Sequence, residues 1–191
     1  MGLPAIISKW DQFALAGRMF NLKQTTIGTA LSGATADNGG IVLTVPWVRF
    51  TVPTGYPVFP RHFNLAFATA AGTLNEVALV YTNSDSFTSS AGVATTPRNW
   101  RPDSDAASSV VENCYIGASG GVNTEASLGV VRALYQDILP AAFTASFLSY
   151  RINEWFEDLI PIVGPASVLL FWTGATTTPS GYFSLDWAEV R

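Results

Sequence analysis

The sequence is short of the residues that most active sites need. It has one cysteine, Cys114, and one histidine, His62, in 191 residues. A single cysteine forms no internal disulfide and no cysteine-rich zinc site. A single histidine cannot build the ligand cluster of most transition-metal sites. Charge is scarce as well: charged residues are 13% of the chain, about half of the usual ~25%. Lys and Arg number 10 against 14 Asp and Glu, for a net charge of −4. That balance excludes nucleic-acid binding through a general basic field. No basic start followed by a sustained apolar stretch opens the chain, so no secretory signal is expected. Gly2 lacks the Ser or Thr that myristoylation wants, since Ile6 stands at the sixth position. The longest apolar run, Leu159 to Trp172, is short for a membrane span and is broken by Pro161, Gly164 and Pro165. The expectation is a soluble chain made in a reducing cytoplasm, with no membrane partner and no cofactor.

What the chain does have is apolar mass. Apolar residues are 48% and aromatics 13% of it, which excludes disorder. The length suits one domain with a sizeable core. So few charges leave much of the surface to Ala, Ser, Thr and Gly. Such surfaces suit tight symmetric assemblies; the alternative is a merely neutral monomer.

The dominant pattern has period two. Val48, Phe50 and Val52 alternate with Arg49 and Thr51; Phe63, Leu65 and Phe67 alternate with His62, Asn64 and Ala66. Val77, Leu79 and Tyr81 do the same, as do Phe183, Leu185 and Trp187 against Tyr182, Ser184 and Asp186. Each reads as a strand with one face in a core. Less regular strands are expected at Arg18–Lys23, Val110–Ile116, Leu128–Tyr135, Phe143–Leu148, Tyr150–Trp155 and Val168–Thr173. Pro53-Thr54-Gly55-Tyr56-Pro57 and Gly164-Pro165-Ala166-Ser167 read as turns. Asn83–Ser109 and Gly117–Glu125 read as long loops. Ile152–Leu159 reads as a strand end rather than a helical turn. The fold class expected is all-β: an antiparallel β-sandwich, jelly-roll-like, over 18–191. Met1–Gly17 carries Leu3, Ile6, Ile7, Trp10 and Phe13 with neither period, and reads as an N-terminal extended arm.

No residue pattern points to catalysis. His62 lies on the polar side of a strand, and no Gly-x-Ser-x-Gly elbow exposes a serine. Cys114 sits inside a strand-like run and reads as a buried, inert thiol. Asp103/Asp105 and Glu154/Glu157/Asp158 are acidic groups without signature residues, and Asp103-Ser104-Asp105 lacks the Gly and terminal Glu of a calcium loop. Gly117–Gly121 is Gly-rich but lacks the Lys-Ser/Thr of a phosphate cradle. Trp100, Trp155 and Trp172 could offer a sugar platform, but Trp155 and Trp172 read as core or interface. Trp100 lies in the loop Arg98-Asn99-Trp100-Arg101-Pro102, and Trp beside Arg favours protein contact over sugar. The arm offers Trp10 and Phe13 as anchors for another surface or a neighbouring subunit, with Lys9, Asp11 and Arg18 at the rim; the alternative is that it folds back on its own sheet. The interface residues expected are therefore Trp10, Phe13, Arg18, Arg98, Trp100 and Arg101.

Four stretches carry a resemblance: Ala14-Leu15-Ala16-Gly17-Arg18-Met19-Phe20, Thr95-Thr96-Pro97-Arg98-Asn99-Trp100-Arg101, Ile162–Leu170, and Tyr182-Phe183-Ser184-Leu185-Asp186-Trp187-Ala188-Glu189. With them the chain, from about Ala14 on, resembles small jelly-roll structural proteins of tailed bacteriophages. The resemblance implies a virion protein without catalytic residues, made in the bacterial host cytoplasm. Its commonest form would be a capsid decoration, or cement, protein: a homo-trimer on the capsid exterior that binds the major capsid protein. The arm would then dock on the capsid shell or cross to a neighbouring subunit. A tail, fibre or baseplate component is the alternative, and a carbohydrate-binding jelly-roll adhesion module a second.

Overall fold

A computed structural model describes residues 8–23, 30–32, 34–35, 41, 46–67, 75–84, 92–101, 103, 110–117, 131–139, 151–174 and 180–190. The expected strand Phe143–Leu148, Asp105 and most of the Gly117–Glu125 loop lie outside these residues. One short helix, α1 (Lys9–Leu15), is followed by strands throughout. They are β1 (Met19–Lys23), β2 (Leu31–Ser32), β3 (Ala34–Thr35), β4 (Val48–Val52), β5 (Pro57–Phe67), β6 (Asn75–Thr82) and β7 (Val93–Ala94). Then come β8 (Arg98–Asn99), β9 (Glu112–Ile116), β10 (Val131–Leu139), β11 (Arg151–Trp155), β12 (Ile162–Val163), β13 (Ala166–Gly174) and β14 (Ser180–Glu189). Among the described residues these strands form two seven-stranded sheets. Sheet A runs β11-β5-β14-β1-β8, with β12 on β5 and β2 on β14; sheet B runs β10-β6-β13-β4-β9-β7, with β3 on β13. The pairings are antiparallel apart from β3–β13. Among the described residues no helix is long and apolar enough to cross a membrane.

The alternation read from the sequence sets which side of each strand faces the core. On β5, Phe63, Leu65 and Phe67 are buried while His62, Asn64 and Ala66 are half-buried on the other side. On β14, Phe183, Leu185 and Trp187 point inward. The two inner faces meet through Phe50 and Trp187, stacked 4.9 Å apart, and through Trp172 and Phe183 at 6.5 Å. Sheet B is buried on its outer side as well over β6 and β13, while the outward Ala133, Gln136 and Ile138 of β10 are exposed. Ala78, Val80, Leu169 and Phe171 form a second cluster on that side with Ile41, whose N–H donates to Glu76 Oε2 at 3.0 Å.

The passage from β12 to β13 moves the chain from one sheet to the other through Gly164. A Cβ on this residue would lie 2.1 Å from the carbonyl oxygens of both Val52 and Pro53, so only glycine fits.

The expected extended arm is corrected where the structure describes it. Residues 9–15 form a helix folded back on the outer side of sheet A. Ser8 caps it: its Oγ accepts the Asp11 N–H at 3.1 Å, and the Asp11 carboxylate accepts the Ser8 N–H at 3.2 Å. This reciprocal pair closes the first turn. Gly17, at φ 67°, ends the helical path. Trp10, Phe13 and Ala14 fall at the i, i+3, i+4 spacing of one helix face. They pack on Met19, Ala188 and Phe59. A helix of seven residues is too short for its period to stand out beside Leu3, Ile6 and Ile7, which lie outside the described residues.

Candidate functional site

The outer side of sheet A carries a row of side chains that crosses five strands. Trp155 on β11 lies opposite His62 on β5, His62 opposite Asp186 on β14, Asp186 opposite Asn21 on β1, and Asn21 opposite Arg98 on β8. The next row holds Asn153, Asn64, Ser184 and Lys23, and the one beyond it Arg151, Ala66 and Tyr182. Strand alternation puts all of them outside, opposite to the core residues.

Asp186 organises the first row. It is 6% exposed. Its Oδ1 accepts from Trp100 Nε1 at 3.1 Å and also from Asn21 Nδ2. Its Oδ2 faces His62 Nδ1 at 3.1 Å. The other ring nitrogen of His62, Nε2, is 2.8 Å from Asn153 Oδ1, which also accepts from Asn64 Nδ2 at 3.3 Å. Both imidazole nitrogens are thus engaged by structural partners. The Trp155 ring stacks on His62 with centroids 4.0 Å apart.

A bulge in β5 adds a cation to this stack. Asp186 pairs with His62 and Trp187 with Pro60, so Arg61 is the extra residue. Its guanidinium lies 4.8 Å from the Trp155 ring centroid and 4.7 Å from that of Trp10. Arg61 therefore joins helix α1 to the His62 row through two cation–π contacts.

The six expected interface residues fall into two groups on the outer side of sheet A, one with helix α1 and one with β8. Phe13 and Arg18 are half-buried and line an open groove beside helix α1 with Lys9, Gln12, Leu159 and Val190. Phe13 stacks on Phe59 at 6.0 Å. Trp10 is 9% exposed, so it is no free anchor; its own sheet covers it. Arg98, Trp100 and Arg101 belong to the segment of β8, which pairs with β1. Arg101 donates to the Leu15 carbonyl at the end of the helix and holds Asp103 through two bonds of 3.0 and 2.6 Å. These bonds raise the pKa of Arg101 and lower that of Asp103. Trp100 is 47% exposed and turns toward the Asp186 row, where Trp155, at 44%, also stands open. Trp172 is fully buried in the core, as one of the two readings of it required.

Cys114 lies between the sheets, 6% exposed. Burial pushes its thiol up to about 12, with the nearby Glu189 carboxylate adding to the rise and Arg49 offsetting part of it. Sheet A separates it from His62, so the two cannot act as a nucleophile and its base.

The sequence reading placed His62 and Asp186 on polar strand faces but did not join them to Trp155, Trp100 and Asn153. Parity was the available signal: Trp155, Asn153 and Arg151 alternate together, as do Asp186, Ser184 and Tyr182. No family model, no curated protein and no solved structure matches the chain.

Proposed function

We propose that this chain is a non-catalytic structural protein of a tailed-bacteriophage virion, a capsid decoration protein that binds the major capsid protein shell as a trimer. The observation that carries the reading is strand order. Apart from the two-residue strands and β9, which lies outside β4 in sheet B, β1, β14, β5 and β11 lie side by side in sheet A and β4, β13, β6 and β10 in sheet B. Successive ones alternate between sheets except for the adjacent β6 and β10. Two nested Greek keys produce that order, which supports reading the sandwich as a jelly roll, the fold of many capsid proteins. Fold alone does not define function; the sequence resemblance supplies the phage context. The engagement of both His62 nitrogens by Asp186 and Asn153 supports a role without catalysis.

The contact surface belongs beside helix α1, where Phe13 and Arg18 line the groove and Leu15 is 63% exposed. An electron-microscopy map of the virion tests the reading. The sandwich should fit density on the capsid exterior in groups of three, with this groove against the shell or a neighbouring copy. Light scattering of the purified chain should report a trimer at micromolar concentration. A stable monomer, or density confined to the tail, would count against it.

A further inference from the structure

We infer that the open half of sheet A's outer face is a carbohydrate-binding surface, and that it takes an acidic oligosaccharide. Trp155 and Trp100 stand on either side of the His62–Asp186 pair. Each is held in place by the protein itself: Trp155 by its stack on His62 at 4.0 Å, Trp100 by its N–H bond to Asp186 at 3.1 Å. The strands that bear Trp155 and Asp186 are two spacings apart, roughly 10 Å. A sugar ring offers a C–H face that lies flat on an indole, and hydroxyl pairs that match planar amides. The row beside the tryptophans supplies those amides in Asn153 and Asn64, with Ser184 next to them. Aromatic side chains fixed in advance bind at low entropic cost.

Two observations select this ligand class over a protein partner. Protein hot spots also use Trp, Tyr and Arg, as in the sequence around Trp100, but the centre of a protein interface buries aliphatic area around them as well. Among the described outward positions of this half, none is Leu, Ile, Val, Met or Phe. Those on this side of sheet A lie in the other half, under helix α1. Charge is the second observation. Lys23, Arg98 and Arg151 are exposed around the tryptophans; the carboxylate of the row, Asp186, is buried beneath its donors, and two exposed carboxylates nearby, Glu157 and Asp103, are each paired with an arginine, Arg61 and Arg101. The surface is cationic in a chain whose net charge is −4. Three cations spread across the sheet suit the scattered carboxylates of an acidic glycan. Single-stranded nucleic acid needs a continuous basic groove.

The test uses the full chain on an array of neutral oligosaccharides and of oligosaccharides bearing uronate or sialate, with a single-stranded oligonucleotide as control. Binding of acidic sugars is expected, weaker at high salt. Trp155→Ala and Trp100→Ala should each lower affinity about tenfold or more, a loss of one aromatic contact. Trp155→Phe should keep most of it. Trimer formation and capsid binding should be unchanged in all three, which separates this inference from the decoration reading. If Trp155→Ala fails to fold, Asn153→Ala, at an exposed position, should lower affinity in its place. The inference is overturned if the native chain binds no oligosaccharide or only neutral ones, or if neither the tryptophan nor the Asn153 variants lose affinity. It is equally overturned if the oligonucleotide binds in place of sugars, or if the variants lose capsid binding instead.

Discussion

The outer side of sheet A has two halves built on the same strands. Toward the start of β1 and the end of β14, the outward residues are Met19, Ala188 and Phe59, and helix α1 lies over them. Further along the same strands the outward residues are Asn21, Asp186 and His62, which the single side chains of Trp100 and Trp155 screen and no described helix or strand lies over. The chain spends its helix where outward residues are apolar and leaves open the part where they hydrogen-bond to one another. Burying apolar area is worth roughly 25 cal/mol per Å². Asp186 and His62 already keep little contact with water under Trp100 and Trp155, and their hydrogen bonds to each other and to Trp100, Asn21 and Asn153 offset that loss of hydration. Arg61 stands at the boundary, with Trp10 on one side and Trp155 on the other.

Substitutions in the two halves should differ in kind. The largest effect is expected in the covered half. Trp10→Ala should cost about 3 kcal/mol, because it empties a buried aromatic site, and urea unfolding should show it while the far-ultraviolet spectrum stays β-rich. At the heart of the open half, Asp186→Ala should cost about 2 kcal/mol by leaving three donors without their shared acceptor. It should also free the Trp100 indole, seen as a shift in tryptophan fluorescence. Trp155→Ala, at a position 44% exposed, should cost under about 1 kcal/mol; a loss as large as that of Trp10→Ala would erase the distinction between the halves. The smallest effect at neutral pH belongs to Cys114, which lies in neither half. Its neutral thiol is favoured by the fold, so its contribution is fully present below the ordinary thiol pKa. That contribution should drain away as pH rises from there through about 12. Cys114→Ala should flatten this alkaline loss, and the native thiol should resist a disulfide reagent until the protein unfolds.

Much of the sandwich was legible because burial on one face imposes period two. The alternation around β4, β5, β6 and β14 needed no partner to be read. Helix α1 was less legible: its apolar face has only three residues, and the Ser8–Asp11 capping pair was the local sign. β10 was displaced, expected at Leu128–Tyr135 and found at Val131–Leu139, where the register slips between Ala133 and Tyr135. The open row could not be read at all as a row. His62 and Asp186 lie 124 positions apart, Trp100 and Asp186 86 apart. Parity along each strand was visible, but which strands lie side by side is decided by packing across the whole chain.

The extra residue in β5 has a consequence for how this strand can vary. Before it, Val58 and Pro60 face the core; after it, Phe63, Leu65 and Phe67 do. The inward set passes from even to odd numbers at Arg61. Removing Arg61 would restore plain alternation, with Pro60 inward next to His62 outward and every other residue of the strand keeping its side. What the strand would lose is the cation held between the Trp10 and Trp155 rings, so a deletion at Arg61 should harm the fold about as much as replacing its side chain with alanine.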